Sequence, residues 1–215
     1  MANYVMTARA FVETARRIAQ EYKTLYVMGG FGAPLYKANR ERYTGPSAHE
    51  YNRRPERTAM ILAASDDTFA LDCVGYIKAI LWGWSGKLDK VYGGAKYASN
   101  GVPDIGADTM ITKCSGISTS FQSVLPGEML WKEGHAGIYL GDGLGAECTP
   151  MWDKDAQITA VANIGPVDGH HARTWTKHGK LPWIDYSVLP GKTEAERDHE
   201  IAELVRRIFE ILGGG

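Results

Sequence analysis

Apolar positions mark two helices in the N-terminal part of the chain. Between residues 71 and 82 the apolar residues recur at helical spacing, at Val74, Ile77, Ile80 and Leu81. This spacing predicts a helix packed into a core. Residues 8–22 carry their apolar side chains on one face and their charged side chains on the other, which predicts an amphipathic surface helix.

The pattern changes to that of strands in the second half of the chain. Residues 126–131, 134–143 and 144–149 predict three antiparallel strands, and a tight turn at Asp142-Gly143 joins the last two. Residues 157–162 alternate and predict a fourth strand. We expect one or two more strands in residues 172–187.

The start of the 71–82 helix carries a candidate nucleophile. Asp72 is a favourable N-cap, which places Cys73 in the first turn. The helix dipole and the unpaired N–H groups there favour an anion, so we expect the Cys73 thiol to ionise more easily than that of a free cysteine. The segment alone fits a small buried cysteine equally well.

A candidate base and a group to orient it lie on the predicted strands. His135 opens the second strand and Glu147 lies on the third, so Cys73, His135 and Glu147 form a candidate nucleophile, base and orienting group. A simple two-residue turn would place His135 and Glu147 on opposite faces of the sheet. Their joint action therefore requires a bulge, a longer turn or a rotated strand end. Otherwise Asp142, Asn163 or a backbone carbonyl would orient the ring.

Composition narrows the class of protein. Of the 215 residues, 44% are apolar and 23% are charged, as in an ordinary globular protein, and the net charge of −1 gives no electrostatic case for nucleic acid or an anionic membrane. No apolar run approaches the ~20 residues of a membrane span. Three cysteines exclude a complete disulfide framework, and we expect Cys114 and Cys148 to be free buried thiols. The spacing of His170, His171 and His178 matches no recognised zinc site, so no metal is expected.

Four motifs occur in a distinctive order: Tyr26-x-x-Gly29-Gly30, Asp72-Cys73-x-Gly75, Pro126-Gly127-Glu128, and Gly134-His135-x-Gly137-Ile138-Tyr139-x-Gly141-Asp142-Gly143. Together they resemble the NlpC/P60 cysteine peptidases, a papain-like superfamily that acts on bacterial cell-wall peptides. With residues 147–150 and 177–182, the pattern is similar to the endopeptidase domain of endolysins from phages and prophages of Gram-positive bacteria. The resemblance covers residues 8–187. Two positions depart from it: Val74 stands where the family usually has Ser, and Glu147 replaces the usual His, Asn or Gln.

The resemblance implies an α+β papain-like fold, in which an antiparallel sheet packs against the helix that carries Cys73. It implies a catalytic domain over residues 1–190, with Tyr26 and Asp72 as substrate-binding residues and with neither a metal nor a cofactor. The expected partner is peptidoglycan, and the expected reaction is hydrolysis of the bond between D-γ-glutamate and the diamino acid of the stem peptide. An N-acetylmuramoyl-L-alanine amidase, an acyltransferase and a non-catalytic wall-binding or phage structural module remain alternatives.

Other segments give weaker expectations. Residues 33–70 are polar and predict an irregular, solvated insertion. The aromatic rings of Trp82 and Trp84 fit either a substrate groove or the core. Residues 191–215 predict an amphipathic helix with a Gly-rich end: a helix packed on the domain, a linker to a wall-binding module, or a self-association segment over residues 193–212. The N-terminus lacks a signal-peptide pattern, so we expect synthesis in the cytoplasm and release to the wall through a holin or by lysis.

Overall fold

The protein has a mixed α+β architecture in a computed structural model, which describes residues 4–152, 154–191, 201, 205 and 206. Within these residues the helices are α1 (Ala8–Glu21), α2 (Lys37–Thr44), α3 (Pro55–Ala63), α4 (Cys73–Leu81) and α5 (Ala107–Lys113). The strands are β1 (Met6–Thr7), β2 (Thr24–Tyr26), β3 (Phe31–Pro34), β4 (Phe69–Leu71), β5 (Ser115–Ser118), β6 (Met129–Lys132), β7 (His135–Gly141), β8 (Leu144–Cys148), β9 (Ala156–Val161), β10 (Ala172–Arg173), β11 (Lys177–Lys180) and β12 (Ile184–Asp185).

The main sheet has seven strands in the order β10-β9-β8-β7-β6-β11-β5. All neighbouring strands in it are antiparallel except β9 and β10, which are parallel. A smaller sheet of β2, β4 and β3 leads into α4, so the strand before the candidate nucleophile ends at Leu71. Strands β1 and β12 form a short parallel pair that brings Met6 and Thr7 beside Ile184 and Asp185.

Helices α1 and α4 pack against the main sheet and form the larger core with it. All nine residues of α4 are buried: eight carry no charge, and the ammonium group of the ninth, Lys78, pairs with Asp104. The other face of the sheet is covered by a second, smaller cluster: Phe121, Val124, Leu130, Tyr139, Val161 and Trp175. The sheet is therefore buried on both sides near its centre, which holds β7 and β8 in place.

Most of the predicted helices and strands are confirmed, but residues 172–187 hold three short strands, β10 to β12, where one or two were expected. The helices expected over residues 8–22 and 71–82 are α1 and α4, and Asp72 is the N-cap of α4. The strands expected over residues 126–162 are β6 to β9. Asp142 and Gly143 have φ angles of 52° and 74°, as a type I′ hairpin turn requires.

The prediction that residues 33–70 are irregular is wrong. They form α2, α3 and strands of the smaller sheet. Both helices are short, and their apolar periodicity is weak because buried polar groups replace apolar ones: Asn39 in α2 and Arg57 in α3 are almost fully buried. Apolar periodicity cannot predict helices whose buried positions are polar.

The segment predicted as a C-terminal helix or self-association surface, residues 193–212, lies outside the described residues apart from three positions. The boundary between residues 190 and 191 stays a prediction. Among the described helices, none has both the length and the apolar character that crossing a membrane requires.

A close contact between two glycines joins the smaller sheet to α4. A Cβ atom at Gly75 would lie 1.8 Å from the carbonyl oxygen of Gly30. The same carbonyl accepts the backbone N–H of Asp72 at 2.9 Å. The motifs Tyr26-x-x-Gly-Gly and Asp72-Cys73-x-Gly are therefore two sides of one packing contact, because only a residue without a Cβ lets the backbones approach this closely.

We predict that Gly75→Ala destabilises the protein by about 3 kcal/mol, because the added methyl group must displace backbone rather than a flexible side chain. Gly106→Ala is the matched control, since a Cβ at Gly106 meets no atom within 4 Å. Urea denaturation of both variants measures the difference. Equal stability of the two variants would contradict the contact.

Candidate active site

The N-cap of α4 fixes the loop that follows β2. Asp72 is 5% exposed, and its two carboxylate oxygens accept separate backbone N–H groups: Gly75 at 2.5 Å and Gly29 at 2.7 Å. Gly29 has a φ of 81°, a conformation that glycine adopts without strain. The contacts of Asp72 thus support its role as a cap, and its predicted contact with a substrate amine stays a prediction.

Cys73 lies where β7 and β8 separate. His135 and Ala136 pair with β6, whereas the pairing of β7 with β8 begins only at Gly137. The free edge of β7 at this point faces the sulfur. Cys73 Sγ lies 3.9 Å from the carbonyl oxygen of Gly134, and the backbone N–H of Ala136 lies near enough to the sulfur to act on the pKa of the thiol. The thiol is therefore in contact with the residues on both sides of His135.

The predicted easy ionisation of Cys73 is wrong for the protein without substrate. Burial, followed by the neighbouring Asp72 carboxylate, raises the pKa of the Cys73 thiol to about 12. Hydrogen bonds from the backbone N–H groups of Ala136, Val74 and Cys73 itself act in the opposite direction but are outweighed. The resting site consequently holds a neutral thiol, which needs a base before it can attack.

A bulge in the β7–β8 hairpin brings the candidate base and carboxylate to one face. Gly141 is opposite Leu144, but Tyr139 is opposite Gly145 and Gly137 is opposite Glu147, so Leu140 is an extra residue on β7. Without it Glu147 would lie opposite Ile138, on the other face. With it, Glu147 shares a face with Gly137 and with His135, two residues earlier. The bulge that the sequence analysis required for joint action of His135 and Glu147 is therefore present.

His135 and Glu147 are joined directly. His135 Nε2 lies 2.7 Å from Glu147 Oε2. The carboxylate fixes the tautomer of the neutral ring, since Nε2–H must donate to it, and Nδ1 is left as the nitrogen that can accept a proton. The side chain of His135 is 14% exposed and Cys73 is 6% exposed, so neither is fully sealed from solvent.

Glu147 is fully buried and has three partners. Apart from His135, the Thr159 hydroxyl donates to Oε1 at 2.8 Å, and Arg173 Nε lies 3.1 Å from Oε1 and 2.8 Å from Oε2. Burial raises the pKa of Glu147, but the hydrogen bonds from His135 and Arg173 outweigh burial and hold the pKa below its usual range. Glu147 is therefore an ionised carboxylate in a nearly water-free setting.

The ring of His135 is also held by an aromatic neighbour. Trp175 stacks on it with ring centroids 5.4 Å apart and an angle of 8° between the planes. The same indole lies over Gly137, where a Cβ would come within 2.7 Å of it. The glycine two residues after His135 in the motif therefore makes room for the ring that restrains the imidazole.

Tyr26, expected to bind substrate, lies near Cys73 and Asp72, and its role stays a prediction. It is 7% exposed, and burial, followed by the proximity of Cys73 and Asp72, raises the pKa of its hydroxyl far above the usual value. The hydroxyl therefore remains a hydrogen-bond donor at any working pH. Its neighbour Tyr51 packs against it edge to face, with centroids 5.7 Å apart.

The loop around Tyr51 is locked in place. Asn52 is 1% exposed, accepts the N–H of Met28 at 2.9 Å and donates to its carbonyl at 2.9 Å. The segment that was expected to be a solvated insertion thus supplies one wall beside Tyr26.

Other candidates lie away from this site. Cys114 and Cys148 are free and buried, as predicted. Trp82 and Trp84 are buried in the larger core, which leaves them no surface for a substrate groove. Residue His178 contacts the Glu128 carboxylate and the Ser120 carbonyl. The described residues include no group of three or more His, Cys, Asp or Glu side chains that could hold a metal ion.

Sequence reasoning missed Thr159, Arg173 and Trp175. Thr159 could have been found from the alternation along β9, because it lies two residues from Gln157, which is opposite Glu147. For Arg173 and Trp175 the sequence carries no local signal, since β10 has only two residues and its place beside β9 depends on the whole sheet.

The chain matches no protein-family model, no curated protein and no solved structure. The function proposed below consequently rests on the resemblance of the motifs and on the geometry of Cys73, His135 and Glu147.

We predict that Glu147→Gln lowers the free energy of unfolding by about 3 kcal/mol at pH 7, because it leaves the Arg173 cation buried without an anion. A carboxylate whose folded pKa is depressed stabilises the fold above its unfolded pKa of about 4.3, and this contribution is lost as the pH falls through the folded pKa. The difference from the unsubstituted protein should therefore be smaller at pH 4 than at pH 7.

Urea denaturation at the two pH values measures this difference. Glu133→Gln, at an exposed carboxylate near His135, is the control and should change stability little at either pH. A cost of Glu147→Gln that is the same at both pH values would contradict an ionised Glu147.

Proposed function

We propose that the protein is a cysteine peptidase that hydrolyses peptidoglycan stem peptides, at the bond between D-γ-glutamate and the diamino acid. The observation that carries the proposal is the assembly of three side chains distant in sequence: the Cys73 sulfur contacts both neighbours of His135, and His135 is bonded to buried Glu147. The substrate and the bond come from the resemblance to NlpC/P60 peptidases, as does the papain-like class of the fold.

His135 acts as a general base on a neutral thiol. Its Nδ1 takes the proton as Cys73 Sγ attacks the peptide carbonyl carbon, and the carbonyl electron pair moves to oxygen. The Cys73 N–H at the helix start stabilises the resulting oxyanion. Glu147 holds the ring and stabilises the imidazolium that forms.

The remaining steps return the site to its starting state. The imidazolium protonates the leaving amine as the C–N bond breaks, which leaves a thioester on Cys73. His135 then deprotonates a water molecule that attacks the thioester, and the thiol leaves with the proton that the imidazolium gives back. In the proposed reaction Tyr26, a neutral hydroxyl near Cys73, donates to the substrate carbonyl.

The endolysin resemblance adds a setting for this reaction. A wall hydrolase of that type is made in the cytoplasm and reaches peptidoglycan after holin release or lysis. This setting is part of the proposal and leaves the chemistry at Cys73 unchanged.

We predict that the protein releases fragments from purified peptidoglycan and that Cys73→Ala lowers the rate at least about a thousandfold, since the nucleophile is lost. Cys114→Ala is the matched control: it removes another buried sulfur, outside the site, and should retain activity. Mass spectrometry of the fragments identifies the bond from the new termini.

The fragments separate the alternatives. New amino termini on the diamino acid support the endopeptidase, whereas stem peptides freed from the glycan at L-alanine indicate the amidase. Transfer of the acyl group to an added amine indicates the acyltransferase. Wall that stays intact and yields no new termini would defeat the catalytic proposal.

A further inference from the structure

Arg173 contacts the Glu147 carboxylate, and the proposed reaction gives it no role. Its Nε lies within hydrogen-bonding distance of both oxygens, and its Nη2 lies 2.8 Å from Oε2 without the alignment of a hydrogen bond. The Arg173 side chain is 10% exposed and the Glu147 side chain is 0% exposed. An ion pair this buried is weak evidence for stability, because removing both charges from water costs about as much as their attraction returns.

His135, Glu147 and Arg173 form a buried cluster, and its net charge determines whether a neutral His135 is favoured. As a base His135 must be neutral, and Glu147 is then the carboxylate that its Nε2–H faces. With Arg173 present, the buried group of neutral His135, ionised Glu147 and cationic Arg173 carries no net charge. Without Arg173, the same protonation state leaves one uncompensated negative charge in a buried setting, which is strongly disfavoured.

We propose that Arg173 is a positioning residue that neutralises Glu147 and thereby keeps His135 available as an uncharged base for Cys73. The proposal rests on the proposed function for the use of this base. It also explains how a carboxylate serves at the third position, where the resembled family has a neutral side chain or histidine.

The other charged and titratable groups near the cluster do not replace Arg173. Asp72 at the start of α4 is an anion or a neutral acid, Tyr26 on β2 is a neutral hydroxyl, and Cys148 on β8 has a thiol pKa that burial raises well above its usual value. None of them supplies a positive charge. Within the described residues, the recorded contacts of Glu147 with a permanent cation are those of Arg173.

The surroundings of Arg173 also hold it in place. Its guanidinium carbon lies 4.6 Å from the ring centre of Trp152 and 6.0 Å from that of Trp175. These aromatic faces favour a cation and exclude water from it. Trp175 contacts His135 as well, so the cation and the base share a wall.

The test follows the protonation of His135 in the full-length protein by ¹⁵N NMR of histidine-labelled samples, with His135→Gln used to assign its signals among the six histidines. Arg173→Met and Arg173→Gln remove the charge, and Arg173→Lys keeps it. Arg40→Met is the matched control, since Arg40 also pairs with a carboxylate, Asp66, in a helix away from the site. Circular dichroism confirms that each variant is folded.

We expect the pH at which the protonated His135–Glu147 pair loses one proton to rise by about one unit in Arg173→Met and Arg173→Gln. Without the arginine, that proton offsets the buried negative charge. Arg173→Lys keeps the positive charge and should show little of this shift, and Arg40→Met should show none. With peptidoglycan as substrate, the acid limb of kcat/KM should move by the same amount. No shift, a downward shift, or an equal shift in Arg173→Lys would overturn the proposal in favour of a role in shape alone.

The two readouts separate the two proposals. If the Arg173 variants show the expected NMR shift but the unsubstituted protein cleaves no wall, the proposed function is defeated and the role of Arg173 in the charge balance stands. Wall cleavage with a titration that Arg173→Met does not change defeats only the role of Arg173.

Discussion

The candidate site depends on one extra residue in a β-hairpin. Leu140 interrupts the regular pairing of β7 with β8, and the side chains beyond it change face relative to the partner strand. Glu147 thereby reaches His135, instead of pointing into the core beside Ile138. Because the side chains of a strand alternate, no adjustment of rotamers could achieve the same result. The bulge is therefore the constraint that makes a Cys–His–Glu arrangement possible.

A second constraint is the close approach of backbones at the start of α4. Gly75 and Gly30 allow the loop after Tyr26 to lie directly on the first turn of the helix, and the Asp72 carboxylate accepts the backbone N–H groups of Gly29 and Gly75. This packing buries Cys73, and burial raises its pKa instead of lowering it. In the proposed reaction this neutral thiol needs a base, so the imidazole has to be neutral and correctly oriented.

The buried carboxylate links these two constraints to the electrostatics of the site. Glu147 holds His135 as a buried anion, and an anion without solvent needs a compensating charge. Arg173 and Thr159 supply its remaining hydrogen bonds, and Trp152 and Trp175 enclose the cation. Elsewhere the His178 ring on β11 contacts the Glu128 carboxylate, just before β6, and this contact joins two motifs that are separate in the sequence.

The sequence by itself determined the local features: helices α1 and α4, strands β6 to β9, the Asp142-Gly143 turn, the cap at Asp72 and the identities of Cys73, His135 and Glu147. Each depends on periodicity or on residues close in the chain. Only the tertiary structure decided whether Glu147 faces His135, that Cys73 is a neutral thiol, that residues 33–70 are ordered beside Tyr26, and that Arg173 reaches Glu147. These depend on strand register, burial and contacts between distant segments, for which a local pattern carries no signal.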